Sequence, residues 1–348
     1  EERGVLASAY TQIGLTFFRE RRLREAQQYY LSSLDLSDRE APPTQLMADT
    51  YRYLGILSNV SGENTEALRY HDRALEIYSK LRLLLGQAKT YSSVGQTCLD
   101  LSRLDEALYF THKAERISRR LGAEAEVAAI YGKLGNIYVQ MGDYNRAVEF
   151  HLKDVEMCRR FGNYRAIAYA MHNLGLSYRG KGEISEAIHY LQESLSRFQE
   201  LADNLQVTRL LLDLARTCLD RSRLADAEEY LVTADSQIAR DPHNPHLGYL
   251  QLLLGSLYRL QQNPEEARDL LEQAIDVLSV NTASTHLAQA NFELGLLMAE
   301  AGNKEVALEH LKTALRLSRT LEMRNVMLDC IAQIERLDEL ELVKVLLE

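Results

Sequence analysis

Four kinds of polar side chain stand at helical spacing in this chain, and together they could recognise another polypeptide. Gln96, Asn136 and Asn173 carry amides, which donate to and accept from a peptide group at the same time. Lys133, Arg209 and Arg216 carry cations that pair with a side-chain or terminal carboxylate, arginine through two parallel bonds. Tyr53, Tyr169 and His172 add rings with a polar tip, and Ser93 adds a hydroxyl. Lys133, Asn136 and Gln140 fall on one stripe of a helix. Matching stripes hold Lys89, Ser93, Gln96 and Asp100, then Tyr169, His172 and Asn173, then Arg209, Asp213, Arg216 and Asp220. Tyr53 with Ile56, and Tyr249 with Ser256, continue the series at its ends. An extended segment with acidic character is the ligand such a set predicts. A plain solvated helix side shows the same residue types, so the pattern alone leaves both readings open.

Other chemistry is absent from the pattern. No Gly-rich phosphate loop, GxSxG elbow or HExxH pair occurs, so neither a catalytic site nor a cofactor is expected. His71 and His151 share a slot held elsewhere by Tyr30, Thr111 and Leu191, which marks a packing position. His243 and His246 flank Pro245 without a third ligand, too little for a metal site. Asn59-Val60-Ser61 is a formal glycosylation sequon at a helix end and is read as accidental. The Arg-rich runs 19–24 and 116–120 are interleaved with apolar residues and read as solvated faces.

What must position the stripes is a repeated pair of helices. Gly14, Gly55, Gly95, Gly135, Gly175, Ala215, Gly255 and Gly295 follow one another at 41 residues once and at 40 thereafter. Each is preceded by an aliphatic residue, and twelve positions later stands an alanine in all eight repeats, from Ala26 to Ala307. A small residue inside a helix gives up packing area, and glycine costs about 1 kcal/mol of helix propensity against alanine. Such residues are expected where another helix crosses closely: the first small residue would admit the second helix of its own repeat, the alanine the next repeat. Gly62, Gly142, Gly182 and Gly302, seven residues after the marker, suit a left-handed helix end, with Ser102 and Ser222 in the same slot. In the stretch 129–168, Tyr131, Leu134 and Tyr138 form the apolar stripe that faces the second helix. Asp154 breaks the pattern, since Ala74, Ala114, Ala234, Ala274 and Ala314 occupy its slot; Lys153 is the candidate partner for its charge.

Composition narrows the function class. The 348 residues carry a formal net charge of −10, which speaks against nucleic acid and anionic membranes as partners. No apolar stretch approaches the roughly 20 residues that span a bilayer. The start, EERGVLASAY, shows no secretory pattern and no initiator Met, so a cytoplasmic protein, and a piece of a longer one, is expected. Cys98, Cys158, Cys218 and Cys330 are spread apart and read as buried free thiols.

Leu134-Gly135-x-x-Tyr138, then Gly142-x-Tyr144, then Ala147, resembles the tetratricopeptide repeat. The resemblance covers about residues 5–322 in eight copies, about 5–41, 46–82, 87–122, 127–162, 167–202, 207–241, 247–281 and 287–322. Residues 323–348 would be capping helices or a link to a further domain. The period exceeds the usual 34 residues, as in the long-helix variety of Pins/LGN-like adaptors, kinesin light chains and bacterial signalling proteins. The resemblance implies an all-α, right-handed solenoid superhelix. Its concave face, lined by the first helices and centred on repeats three to six, would hold a protein or peptide partner. Membership of a larger signalling protein is the alternative. Asn136 resembles the Asn of the chaperone-binding carboxylate clamp, but the companion basic residues are not in matching places, so that clamp is not expected here.

Overall fold

The computed structural model describes residues 2–37, 42–239, 244–280, 284–321 and 323–337. His243 and the segment expected as a last short helix after Leu337 lie outside them. The fold is all-α, an α-solenoid of stacked helix pairs, and the chain forms two compact units, Glu1–Lys181 and Gly182–Glu348. The first holds α1 (Glu2–Arg19), α2 (Leu23–Leu36), α3 (Gln45–Val60), α4 (Asn64–Lys80), α5 (Leu84–Asp100), α6 (Leu104–Arg120), α7 (Glu124–Gln140), α8 (Tyr144–Phe161) and α9 (Tyr164–Lys181). The second holds α10 (Ile184–Glu200), α11 (Asn204–Leu219), α12 (Leu224–Ile238), α13 (Leu247–Leu260), α14 (Pro264–Ser279), α15 (Thr285–Glu300), α16 (Lys304–Thr320) and α17 (Arg324–Arg336).

Odd-numbered helices are the first of each pair. Inside each unit, the second helices pack on the first helices before and after them: α2, α4, α6 and α8 in the first, α12, α14 and α16 in the second, where α10 packs on α11. Successive first helices also touch, α3 on α5 and α5 on α7 in the first unit, α11 on α13 and α13 on α15 in the second. The first helices thus form the crowded inner layer of each unit.

The small residues mark where the pairs cross. A Cβ on Gly14 would come within 2.8 Å of the Tyr30 ring, and one on Gly255 within 2.7 Å of Leu271. The same notional atom lies 3.3 Å from the Ala26 carbonyl oxygen and 3.2 Å from that of Ala267. Glycine and alanine therefore meet at one crossing, between the two helices of a single repeat. Ala26 also clusters with Leu54 and Leu57 of the next repeat, and Ala107 with Ile137, so the alanine admits the next repeat as expected. All eight marker alanines are fully buried.

The turns are short because one residue does two jobs. Gly142 sits at φ 75°, and its N–H donates to the Val139 carbonyl (3.0 Å). The Asp143 N–H donates back to the Tyr138 carbonyl (2.9 Å), which closes α7. The Asp143 side chain then accepts from the Arg146 N–H (3.1 Å) and opens α8. Gly62, Gly182 and Gly302 take the same left-handed conformation, and so do Ser102 and Ser222. Gly142→Ala is expected to cost about 1 kcal/mol in urea unfolding, because Cβ disfavours this φ. An unchanged midpoint would contradict it. At the other end, Cys330 and Ile334 of α17 bury against Leu311, Ala314 and Leu315 of α16.

Candidate functional site

The expected site residues divide between the two units. In the first unit the exposed stripe of α7 runs through Ala129, Gly132, Lys133, Asn136 and Gln140. It continues on α9 at Tyr169, which is exposed, and at Asn173, which is half-buried. The side-chain amides of Asn136 and Asn173 have no hydrogen-bond partner among the described residues. Gln96 donates to Asp100 (3.0 Å), and the Ser93 hydroxyl donates to the Lys89 carbonyl of its own helix (3.1 Å).

Two expected residues do not present themselves on this face. His172 is only 2 % exposed. Tyr53 packs into the core with its ring 5.8 Å from that of Tyr30 and the Arg52 guanidinium 4.4 Å above it.

The cations of this face are largely engaged. Lys133 Nζ reaches across to α5, where it donates to the Ser92 carbonyl (2.9 Å) and hydroxyl (2.8 Å). Burial pushes its pKa down to about 8, so it stays charged at neutral pH. Lys89 pairs with Glu126 at 3.2 Å across the same two helices. Arg52 stands 3.9 Å from Asp49, which also accepts the Tyr78 hydroxyl (2.5 Å).

Asp154 of α8 is 8 % exposed and makes no ion pair among the described residues. Lys153 turns away to Glu149 (2.5 Å), so the partner expected for Asp154 is not the one it has. Its Oδ1 accepts only the Cys158 thiol at 3.4 Å. Burial raises its pKa to about 6, against a small lowering by that thiol. Room for the carboxylate comes from Gly132: a Cβ there would lie 2.8 Å from Asp154 Oδ2. The slot of Gly132 holds Thr11, Arg52, Ser92, His172, Leu212, Leu252 and Phe292 in the other repeats. The first helix lacks a side chain directly opposite the one repeat whose second helix carries a carboxylate in this slot.

In the second unit each predicted cation faces a carboxylate. Arg209 stands 3.9 Å from Asp213, and Arg216 3.2 Å from Asp220. Burial acts to lower the Arg216 pKa, but Glu293 and Asp220 outweigh it and raise it. Arg259 bridges Glu293 (3.0 Å) and Glu300 (2.7 Å). Tyr249 stacks on His286 with ring centroids 3.9 Å apart, and burial holds His286 at about 4, hence neutral. The Arg259–Glu293 pair, 34 residues apart, carries no periodic signal in the sequence.

His71 and His151 are fully buried in their shared slot. Nδ1 of His151 lies 2.8 Å from the Ser177 hydroxyl and Nε2 lies 3.3 Å from the Gly132 carbonyl. All four cysteines are free and buried. Among the described residues there is no cluster of metal-ligating side chains, and no helix is long and apolar enough to cross a membrane.

Models of the tetratricopeptide repeat match residues 7–39, 46–120, 86–160, 126–200, 166–234 and 246–320. The chain belongs to the tetratricopeptide-repeat family. Both matching models describe this repeat and neither describes an enzyme. No curated protein matches it by sequence. Among solved structures, the apo form of RapI superposes with a TM-score of 0.66 at 14% identity, covering 91% of this chain and 99% of that one. A signal-transduction ATPase with a tetratricopeptide-repeat sensor, from Pyrococcus horikoshii, gives 0.64 at 15%, covering 93% and 46%. A Rap protein complexed with Competence and Sporulation Factor gives 0.55 at 14%, covering 87% and 99%. At such identities the likeness is one of fold. As tetratricopeptide helix pairs, the first helices of this protein have the architecture of a protein-interaction scaffold.

Proposed function

We propose that this tetratricopeptide-repeat protein is a non-enzymatic scaffold whose first unit holds an extended segment of a protein partner on the inner face of α5, α7 and α9. The observation that carries this reading is the pair of half-buried amides, Asn136 and Asn173, unpartnered on adjacent first helices. Amides that keep contact with solvent hold water, and an extended backbone offers the donors and acceptors that replace it. Lys133, which meets the Ser92 carbonyl and hydroxyl and not a carboxylate, leaves a place for an acidic side chain on the segment. Arg52, Lys89, Arg209 and Arg216 do not argue for one, since each stands beside a carboxylate. The array stays divided as eight repeats within 5–322, with 323–348 as cap or link. Reduced, buried cysteines fit a cytoplasmic setting.

A peptide selected for binding to the chain is expected to lose about tenfold in affinity for Asn136→Ala and again for Asn173→Ala, at about 1.4 kcal/mol per tenfold. Titration calorimetry measures both, and unchanged affinity in the two variants would remove the reading. The alternative, a sensory region of a larger signalling protein, is favoured by the likeness to the Pyrococcus ATPase, of which the chain covers 46%. An effector domain encoded beyond Glu348 would decide for it.

A further inference from the structure

The stripe that carries Asn136 also contains the gap at Gly132, one turn away on the same helix. Gly132 is partly exposed, whereas Ser92 and His172, in the same slot of the flanking repeats, are buried. Beneath the gap lies Asp154 Oδ2, with no donor, while Oδ1 takes a weak thiol bond. The cations nearest in sequence are committed elsewhere, Lys133 to Ser92 and Lys153 to Glu149. The His151 ring is engaged with the Gly132 carbonyl (3.3 Å) and the Ser177 hydroxyl (2.8 Å), so it does not supply the missing donor. A carboxylate buried without a counter-charge is strongly disfavoured. It becomes favourable when a cation enters and both are removed from water with a hydrogen bond between them.

We propose that the notch at Gly132 takes one basic side chain, lysine or arginine, of the partner segment, with the Asp154 carboxylate as its counter-charge. The long apolar stem of either residue lies along the stripe and brings its charged head to the carboxylate, which stands where other repeats place a side chain of the first helix. The backbone of the segment then passes over Asn136 and Asn173. The proposal rests on the groove reading above and adds to it a fixed basic position in the segment.

The test is selection of short random-sequence peptides on the purified chain. Selected peptides are then titrated against wild type, Asp154→Ala, Gly132→Ala and the Asn136→Ala/Asn173→Ala pair. The Gly132→Ala methyl, 2.8 Å from Asp154 Oδ2, closes the notch and displaces the carboxylate while keeping its charge, so it serves if Asp154→Ala folds poorly. The selected peptides are expected to share a lysine or arginine at one register. Replacing it with norleucine, or using either notch variant, should weaken binding about thirtyfold or more. Norleucine should cost little further against Asp154→Ala. Peptides that need the two amides but show no basic register, or bind both notch variants as they bind wild type, would overturn the anchor and leave the groove. Failure to select any binder, or binders indifferent to the amide pair, would overturn the groove reading and the anchor with it.

Discussion

Asp154→Ala is expected to make the free protein more stable at neutral pH, by about 3 kcal/mol before the cost of the space it leaves. Burial raises the carboxyl from its ordinary value of 3.8 to about 6, and each tenfold change in acidity is worth about 1.4 kcal/mol. A folded-state value raised above the unfolded one means that the fold favours the protonated acid. That contribution is complete below about pH 3.8 and is lost as pH rises through about 6. Alanine makes no such contribution, so the difference between variant and wild type should grow from pH 4 to pH 7 and then level off. Titrations common to both proteins cancel in that difference. Alanine already fills this slot in five other repeats, so the helix accepts it, although the gap over Gly132 leaves about 1 kcal/mol unrecovered. Urea unfolding at a series of pH values measures the curve. Parallel stability curves would show that the carboxylate is solvated or paired after all.

The same residue links stability to function. A site that holds a charge ready for a partner is destabilising until the partner arrives. Occupation of the notch by a cation should pull the Asp154 value back down and return the stability that burial removed. Asp154→Asn separates the two roles: it abolishes the pH dependence and keeps the shape, and it removes the counter-charge a basic side chain needs.

The scaffold was readable from the sequence because each repeat states it again. Gly135 and Ala147 recur in register, and the apolar stripe Tyr131, Leu134 and Tyr138 is buried as its spacing predicts. Left-handed helix ends were readable where glycine marks them. They were not at Arg21, Arg82, Ala202 and Gln262, which adopt positive φ with no turn residue to announce it. The inner face was harder to read. The spacing within one helix puts His172 on the same side as Asn173, yet His172 is buried and Asn173 half-buried. A single helix cannot show that. Charge compensation was hidden for the same reason. Lys89 and Glu126, or Arg259 and Glu293, meet across repeats at separations outside the 40-residue period. The Gly132–Asp154 exchange was visible in principle. Both departures stand out once the repeats are aligned slot by slot, but only the structure shows that the two slots face each other.

The second large effect concerns that crossing geometry itself. Gly135→Ala is expected to destabilise the protein by about 2 kcal/mol, although alanine is the better helix former by about 1 kcal/mol. The new Cβ would overlap Nε2 and Cδ2 of His151 and lie 2.7 Å from Cε1. The ring has little freedom to retreat. It is fully buried, and its nitrogens are held by Ser177 and the Gly132 carbonyl. Moving it would strain the packing and sacrifice those bonds, each worth about 1 kcal/mol. The second unit shows the remedy. Ala215 occupies the marker slot there, and the residue opposite is Leu231, both fully buried. The double variant Gly135→Ala/His151→Leu rebuilds that pair in the first unit. It should recover most of the loss, which gives a coupling of at least about 1 kcal/mol in a double-mutant cycle. Additive effects of the two substitutions would mean that the glycine is there for some reason other than the histidine that crosses it.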